Sequence, residues 1–221
     1  MRNEILHGYL IHHRKYRERS HIVHLFTREH GRVDGVLRQM PPPQYQPIRI
    51  QASGKSDLKN FTFFSGFYLN EIVLRLCSAE VEMPETFVQY HQTLAHLQHL
   101  SSHENPNLFL RQILRQFEHA LLEELGYAID FSIDANQEPI QPNMYYHFQL
   151  NDGFIPTAQA SRANLLGAQI LSMCDYEKGR DFNPEQLQLL SRLYRQMISS
   201  LLGDRPLKSR QLWIQNSQTQ A

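Results

Sequence analysis

The chain has 221 residues, 41% of them apolar, with 22 Lys/Arg against 22 Asp/Glu; the length suits one large domain or two small ones, and the composition excludes a disordered tail. No apolar run approaches the roughly 18–20 residues that cross a bilayer, the first residues form no basic-then-apolar leader, and the two cysteines, Cys77 and Cys174, exclude a disulfide scaffold and an all-cysteine zinc site. The net charge of zero conceals an asymmetry, because residues 1–60 hold 11 of the bases and five of the acids, or +6, against −6 for the rest.

A reducing, cytoplasmic setting is expected, with no membrane contact. A basic N-terminal quarter on an acidic body points to a module for polyanions, although a chance fluctuation of surface charge gives the same numbers.

Short strands come first. Ile5–Ile11 is β-rich and runs into the polar His12–Glu18; Ser20–Thr27 and Arg32–Leu37 flank Arg28-Glu29-His30-Gly31, a hairpin signature in which Gly31 supplies the residue with positive φ. Met40-Pro41-Pro42-Pro43 lacks ladder donors and is expected as a loop or sheet edge, and Pro47–Ala52 alternates again. Four or five strands in about 60 residues suggest a small barrel or curled sheet.

From residue 65 the period becomes helical. Gly66–Leu76 carries one apolar flank, Pro84 opens a second helix, and Asn105-Pro106 starts a third that Gly126 stops. Ser161 is expected to cap a shorter helix to Met173, Asn183-Pro184 starts one from Leu187 to Leu202, and Asn151-Asp152-Gly153 joins a minor hairpin.

Signatures of nucleophilic, zinc-protease, phosphate-loop and dinucleotide sites are missing. His96, His99 and His103 share a helical face that could hold a metal, and a wet polar face accounts for them equally well. The cations gather where strand-paired modules have loops: Arg14, Lys15 and Arg17 around Tyr16 in the first loop, Arg28 and Arg32 at the next turn, Arg38 before the prolines, and Lys55 and Lys59 after the last strand. Cations mixed with an aromatic suit phosphate contact with base stacking. Tyr16 packed on a rim among solvated arginines is the plainer alternative.

Four phrases, in order, carry a family resemblance: Gly8-Tyr9-Leu10-Ile11-His12-His13-Arg14 through Gly31-Arg32-Val33; Ser65-Gly66-Phe67-Tyr68-Leu69-Asn70-Glu71-Ile72; Leu114-Arg115-Gln116-Phe117-Glu118 with Leu121-Leu122 and Leu125-Gly126-Tyr127; and Arg205-Pro206-Leu207-Lys208-Ser209-Arg210. In these the chain resembles the RecO family of bacterial recombinational DNA-repair proteins. The resemblance implies an α+β chain, with an N-terminal OB-type small β-barrel over 1–64 and a mainly α-helical C-terminal domain with a minor β-hairpin over 65–221.

It also implies a non-enzymatic mediator without cofactor, cytoplasmic and nucleoid-associated. Such a mediator binds single- and double-stranded DNA, anneals complementary strands and, with RecR, helps load recombinase on strands coated by single-stranded DNA-binding protein. The C-terminal phrase adds Lys208 and Arg210 to the expected DNA contacts. For the acidic, apolar C-terminal tail of single-stranded DNA-binding protein, the third phrase offers Arg115 for the carboxylates, Arg111 one turn earlier, and Leu114 or Leu121 at an apolar slot; an ion pair from Arg115 to Glu118 is the competing role.

Two departures stand out. Some relatives carry a four-cysteine zinc module after Leu-Gly-Tyr, whereas Asp130–Asn136 contains no cysteine, so no structural zinc is expected. The 37–64 segment is compressed and its Arg38–Pro43 loop holds one cation, which favours an alternative, an adaptor that docks RecR and single-stranded DNA-binding protein with weak DNA affinity of its own.

Overall fold

The computed structural model describes residues 5–18, 20–38, 40–50, 63–161, 163–176, 180–203 and 205–211. By packing the chain divides into two compact units, Met1–Pro106 with Arg205–Ala221, and Asn107–Asp204.

In the first unit, β1 (Leu6–Arg17), β2 (Ser20–Thr27), β3 (Gly31–Leu37) and β4 (Pro47–Ile50) form an antiparallel sheet in the order β3-β2-β1-β4. Gly31 closes the β2–β3 turn at φ +60°, and a side chain there would meet the Val81 carbonyl; only glycine suits both demands. One sheet face buries Leu10, Val23, Leu25 and Ile48 with Leu37 beside them. The other carries Tyr9 and Phe26, whose rings lie 5.2 and 5.5 Å from Tyr90.

Tyr90 belongs to α2 (Pro84–Gln98), which with α1 (Phe63–Leu76) covers this second face. Leu69, Ile72, Val73, Tyr90 and Leu94 are buried, and each such apolar side chain contributes about 1.5–3 kcal/mol. Among the described residues β3 and β4 do not pair, so the expected barrel is an open four-stranded sheet. Residues 51–62, including Lys55 and Lys59, lie outside the described residues.

By packing, α1, α2 and the returning 205–211 segment gather with the sheet. The histidine spacing does not survive folding. Helix α2 ends at Gln98 and a 3-10 turn occupies Leu100–Ser102, so His96, His99 and His103 share no single helix.

The second unit contains α3 (Pro106–Glu124), a three-stranded sheet of β5 (Tyr145–Gln149), β6 (Gly153–Thr157) and β7 (Leu165–Leu166), a short α4 (Gly167–Leu171), and α5 (Pro184–Leu202). The Asn183 side chain accepts from Gln186 N (3.0 Å) while the Gln186 side chain accepts from Asn183 N (2.9 Å), a capping box that fixes where α5 begins. Its apolar stripe, Leu187, Leu190, Leu193, Tyr194 and Met197, is buried, as are Ile113, Phe117 and Leu121 of α3.

The helix expected over 161–173 is instead β7 followed by the five-residue α4. Tyr145 and Tyr146 on β5 capture Leu166 and Leu165 as a third strand, and that pairing overrides local helical periodicity. The cysteine-free Asp130–Asn136 stretch is held by its own carboxylates. Asp130 accepts from Ser132 N and Oγ (2.8 and 2.6 Å), and Asp134 accepts from Asn136 N and Glu138 N (2.8 and 3.0 Å).

Candidate nucleic-acid interface

Strand pairing, not a loop, positions the first cationic cluster. Strand β1 continues through Arg14, Lys15, Tyr16 and Arg17, because β2 pairs with it as far as Arg17↔Ser20. The expected loop is therefore the tip of a long β-ribbon. The run of residues that is polar by sequence remains extended because Ile22 and Val23 opposite it favour a strand.

Register decides where each cation points. Arg14 pairs with Ile22 and Ile22 with Val36, while Lys15 pairs with His21 and His21 with Leu37. Successive residues alternate faces, so Arg14 and Lys15 occupy opposite faces of the ribbon. A register shift between Lys15 and Arg17 sets Tyr16 apart, and its ring is 51% exposed with the Arg17 guanidinium 5.1 Å from its centroid.

Arg38 is exposed one residue beyond Leu37, at the same end of the sheet. Arg28 is exposed at the opposite end, six residues beyond Ile22, or about 20 Å along β2.

Arg32 is occupied. Its Nη1 donates to the Leu74 and Cys77 carbonyls (2.8 and 2.9 Å) at the end of α1, and its Nη2 reaches Asp34 (3.3 Å). A cation on those terminal carbonyls satisfies the helix end, so Arg32 is spent on the fold.

Histidines fill the ribbon between its apolar base and its cationic tip. The His12 and His24 rings lie 5.6 Å apart on one face and those of His13 and His21 5.9 Å apart on the other. His24 Nδ1 lies 2.8 Å from Asp34 Oδ1. Burial holds His12 below the usual histidine range, and the charges of His24, His13, Arg14 and Lys208 add to the effect. Lys208 and Arg210 are exposed on the returning C-terminal segment, with Leu207 and Ser209 buried between and before them.

By sequence alone, His12 and His13 adjoin Arg14 and Lys15 and could add partial positive charge near pH 6–7 to an anion-binding loop. The partnership with His21 and His24 depends on register, and its one sequence signal is that both histidine pairs straddle the same hairpin.

The candidate tail site lies in the second unit. Arg115 Nη2 hydrogen-bonds Glu118 Oε1, and Glu118 is 1% exposed. Leu121 is buried in the core, Leu114 is half-buried and Arg111 is exposed. Arg115 and Leu121 are thus engaged within the fold, and Arg111 and Leu114 are the more accessible of the four.

Among the described residues no group of three His, Cys, Asp or Glu is arranged to hold a metal ion, and no helix is long and apolar enough to cross a membrane.

Residues 1–51 match the family model described as Recombination protein O N terminal, and residues 56–211 match Recombination protein O C terminal. The chain is 34% identical to the DNA repair protein RecO of Actinobacillus pleuropneumoniae serotype 7, over 93% of this chain and 92% of that protein. It is 33% identical to the proteins of the same name from Alteromonas mediterranea (97% and 98% covered) and Pseudomonas aeruginosa (96% and 95% covered). The alignments span 232, 241 and 233 positions against 221 residues here, so these relatives carry residues that this chain lacks.

Proposed function

The chain belongs to the RecO family of DNA repair proteins, and from that premise we propose that it is a non-enzymatic mediator that binds single- and double-stranded DNA and anneals complementary strands. With RecR it helps load recombinase on strands coated by single-stranded DNA-binding protein. The observation that carries this reading is the ribbon tip, where Arg14, Lys15 and Arg17 are exposed around Tyr16, with cations on both faces.

Two strands repel through their phosphates, and neutralising those charges releases counterions and lets the strands approach. Cations on both faces of one ribbon serve two strands better than a one-sided patch, and the exposed Tyr16 ring offers a stacking surface that tolerates any base. No step in this scheme breaks a covalent bond. Arg28 and the C-terminal Lys208 and Arg210 extend the DNA contacts, Lys55 and Lys59 follow in sequence, and the 1–64 segment is the DNA-binding module. Arg111 and Leu114, with Arg115 and Leu121 behind them, receive the tail of single-stranded DNA-binding protein. The site of action is the cytoplasm, at the nucleoid.

The test is annealing of complementary oligonucleotides with and without single-stranded DNA-binding protein, beside anisotropy titrations at two salt concentrations. Acceleration of annealing and affinity that falls steeply with salt are expected; affinity indifferent to salt overturns the phosphate scheme.

The adaptor reading rests on a specific observation: Arg32 is consumed by α1, and the Arg38–Pro43 loop is short of cations. Weak DNA affinity at all salts together with tight RecR and tail-peptide binding selects it.

A further inference from the structure

We propose that Glu71 on α1 is a positioning residue for the DNA-binding surface: it grips the returning C-terminal segment and so fixes where Lys208 stands as a DNA contact. The proposal rests on the DNA-binding reading above and deepens it.

The carboxylate accepts three hydrogen bonds from that segment. Lys208 N donates to Oε1 (2.8 Å), and Ser209 N and Oγ donate to Oε2 (2.9 and 2.7 Å). Residues 208–211 are helical, so Glu71 supplies from another helix the negative charge that the first turn's free N–H groups require. One turn along α1, Arg75 donates to the Arg205 and Pro206 carbonyls (2.5 and 3.2 Å) and lies 3.7 Å from Glu71. Donors and acceptors of the segment are thus both held, by hydrogen bonds to charged groups, which are stronger than neutral ones.

The grip has a direction. Leu207 and Ser209 are buried against the unit, which turns Lys208 and Arg210 outward. The charge of Lys208, like that of Arg14, disfavours the protonated form of His12 after burial does. Asn70, adjacent to Glu71, fixes the Ile11 carbonyl at 3.0 Å, immediately before His12. Two neighbouring residues of α1 therefore place both members, His12 from the start of the chain and Lys208 from its end.

The experiment measures single-stranded oligothymidine binding over a potassium chloride series for the full chain, Glu71→Gln, Lys208→Ala and their combination. Lys208→Ala is expected to weaken binding and lower the salt slope by about one unit. Glu71→Gln is expected to match it in both respects, with the double variant no worse than either single one. The sign is decisive, because removing a nearby negative charge without any loss of positioning strengthens DNA binding. Tighter or unchanged binding by Glu71→Gln overturns the proposal, and so does additivity in the double variant. Ser209→Pro removes two of the three donors while leaving α1 and its charge intact, and is expected to reproduce the loss should Glu71→Gln not fold; wild-type affinity in that variant again overturns it. Failure of the unaltered protein to bind DNA defeats the underlying reading instead, and is distinguished by that result.

Discussion

Asn70 donates its side-chain amide to the main-chain carbonyl of Ile11 at 3.0 Å, across 59 residues of sequence. Ile11 interrupts the β1–β2 register, and its carbonyl turns to Asn70 of α1 and to the Gln44 side chain (2.7 Å) instead of to the neighbouring strand. The other end of the amide accepts from the Tyr90 hydroxyl (2.5 Å), so one buried residue joins strand, α1 and α2. Asn70→Ala removes this acceptor from the Tyr90 hydroxyl and this donor from the Ile11 carbonyl, and a loss of about 2–3 kcal/mol is expected. Tyr90→Phe is expected to cost about half as much. Urea denaturation followed by circular dichroism measures both, and changes below about 0.5 kcal/mol contradict the assignment.

Arg14 and Arg32 lie on the same ribbon and are expected to respond in opposite ways. Arg32 makes two hydrogen bonds to the end of α1, so Arg32→Ala should lower stability by about 1.5–3 kcal/mol and leave the salt slope of DNA binding unchanged. Arg14 is exposed near the tip, so Arg14→Ala should leave the melting temperature in place and lower the salt slope by about one unit. Melting curves and anisotropy on the same two variants check the contrast, and an exchange of the two phenotypes defeats it.

How far the residues alone reach depends on what fixes each feature. Helix starts at Asn105-Pro106 and Asn183-Pro184, stops at Gly126 and Gly203, and the turn at Gly31 are decided by one or two residues and were legible. The ribbon was not, because nothing local in His12–Arg17 demands a strand; pairing with β2 imposes it. The opposed directions of Arg14 and Lys15 follow from that pairing. Arg28 and Arg32 look alike in sequence, yet one is exposed and the other is spent on carbonyls more than 40 residues away. The same limit hides Glu71, whose partners lie 137 and 138 residues on.

Arg115 and Glu118 form a pair in which the carboxylate is buried. Arg115→Ala removes the Arg115 guanidinium from that buried carboxylate, and a loss of about 3–5 kcal/mol is expected. Tail-peptide affinity of this variant therefore requires comparison at matched folded fraction. Arg111→Ala, one turn earlier and exposed, should weaken tail binding with stability unchanged and DNA affinity spared. Calorimetry with the peptide and anisotropy with an oligonucleotide check both; equal losses in the two assays remove the tail assignment.

Acid should strengthen DNA binding while weakening the fold, and His12 supplies both effects. Its protonated form is disfavoured first by burial and then by the charges of His24, His13, Arg14 and Lys208, with Asp34 facing His24 from β3. In the unfolded chain the ring titrates near 6.5. Between that value and the lower one in the fold the unfolded chain holds more protons, so stability declines as pH falls below about 7. A phosphate at the ribbon reverses the bias by attracting the imidazolium, so binding takes up a proton and affinity rises over the same interval. His12→Asn should flatten both trends. Melting curves and anisotropy at pH 8, 7 and 6 and constant ionic strength measure them together, and affinity that falls with acidification in the wild type rules out a protonated His12 at the phosphates.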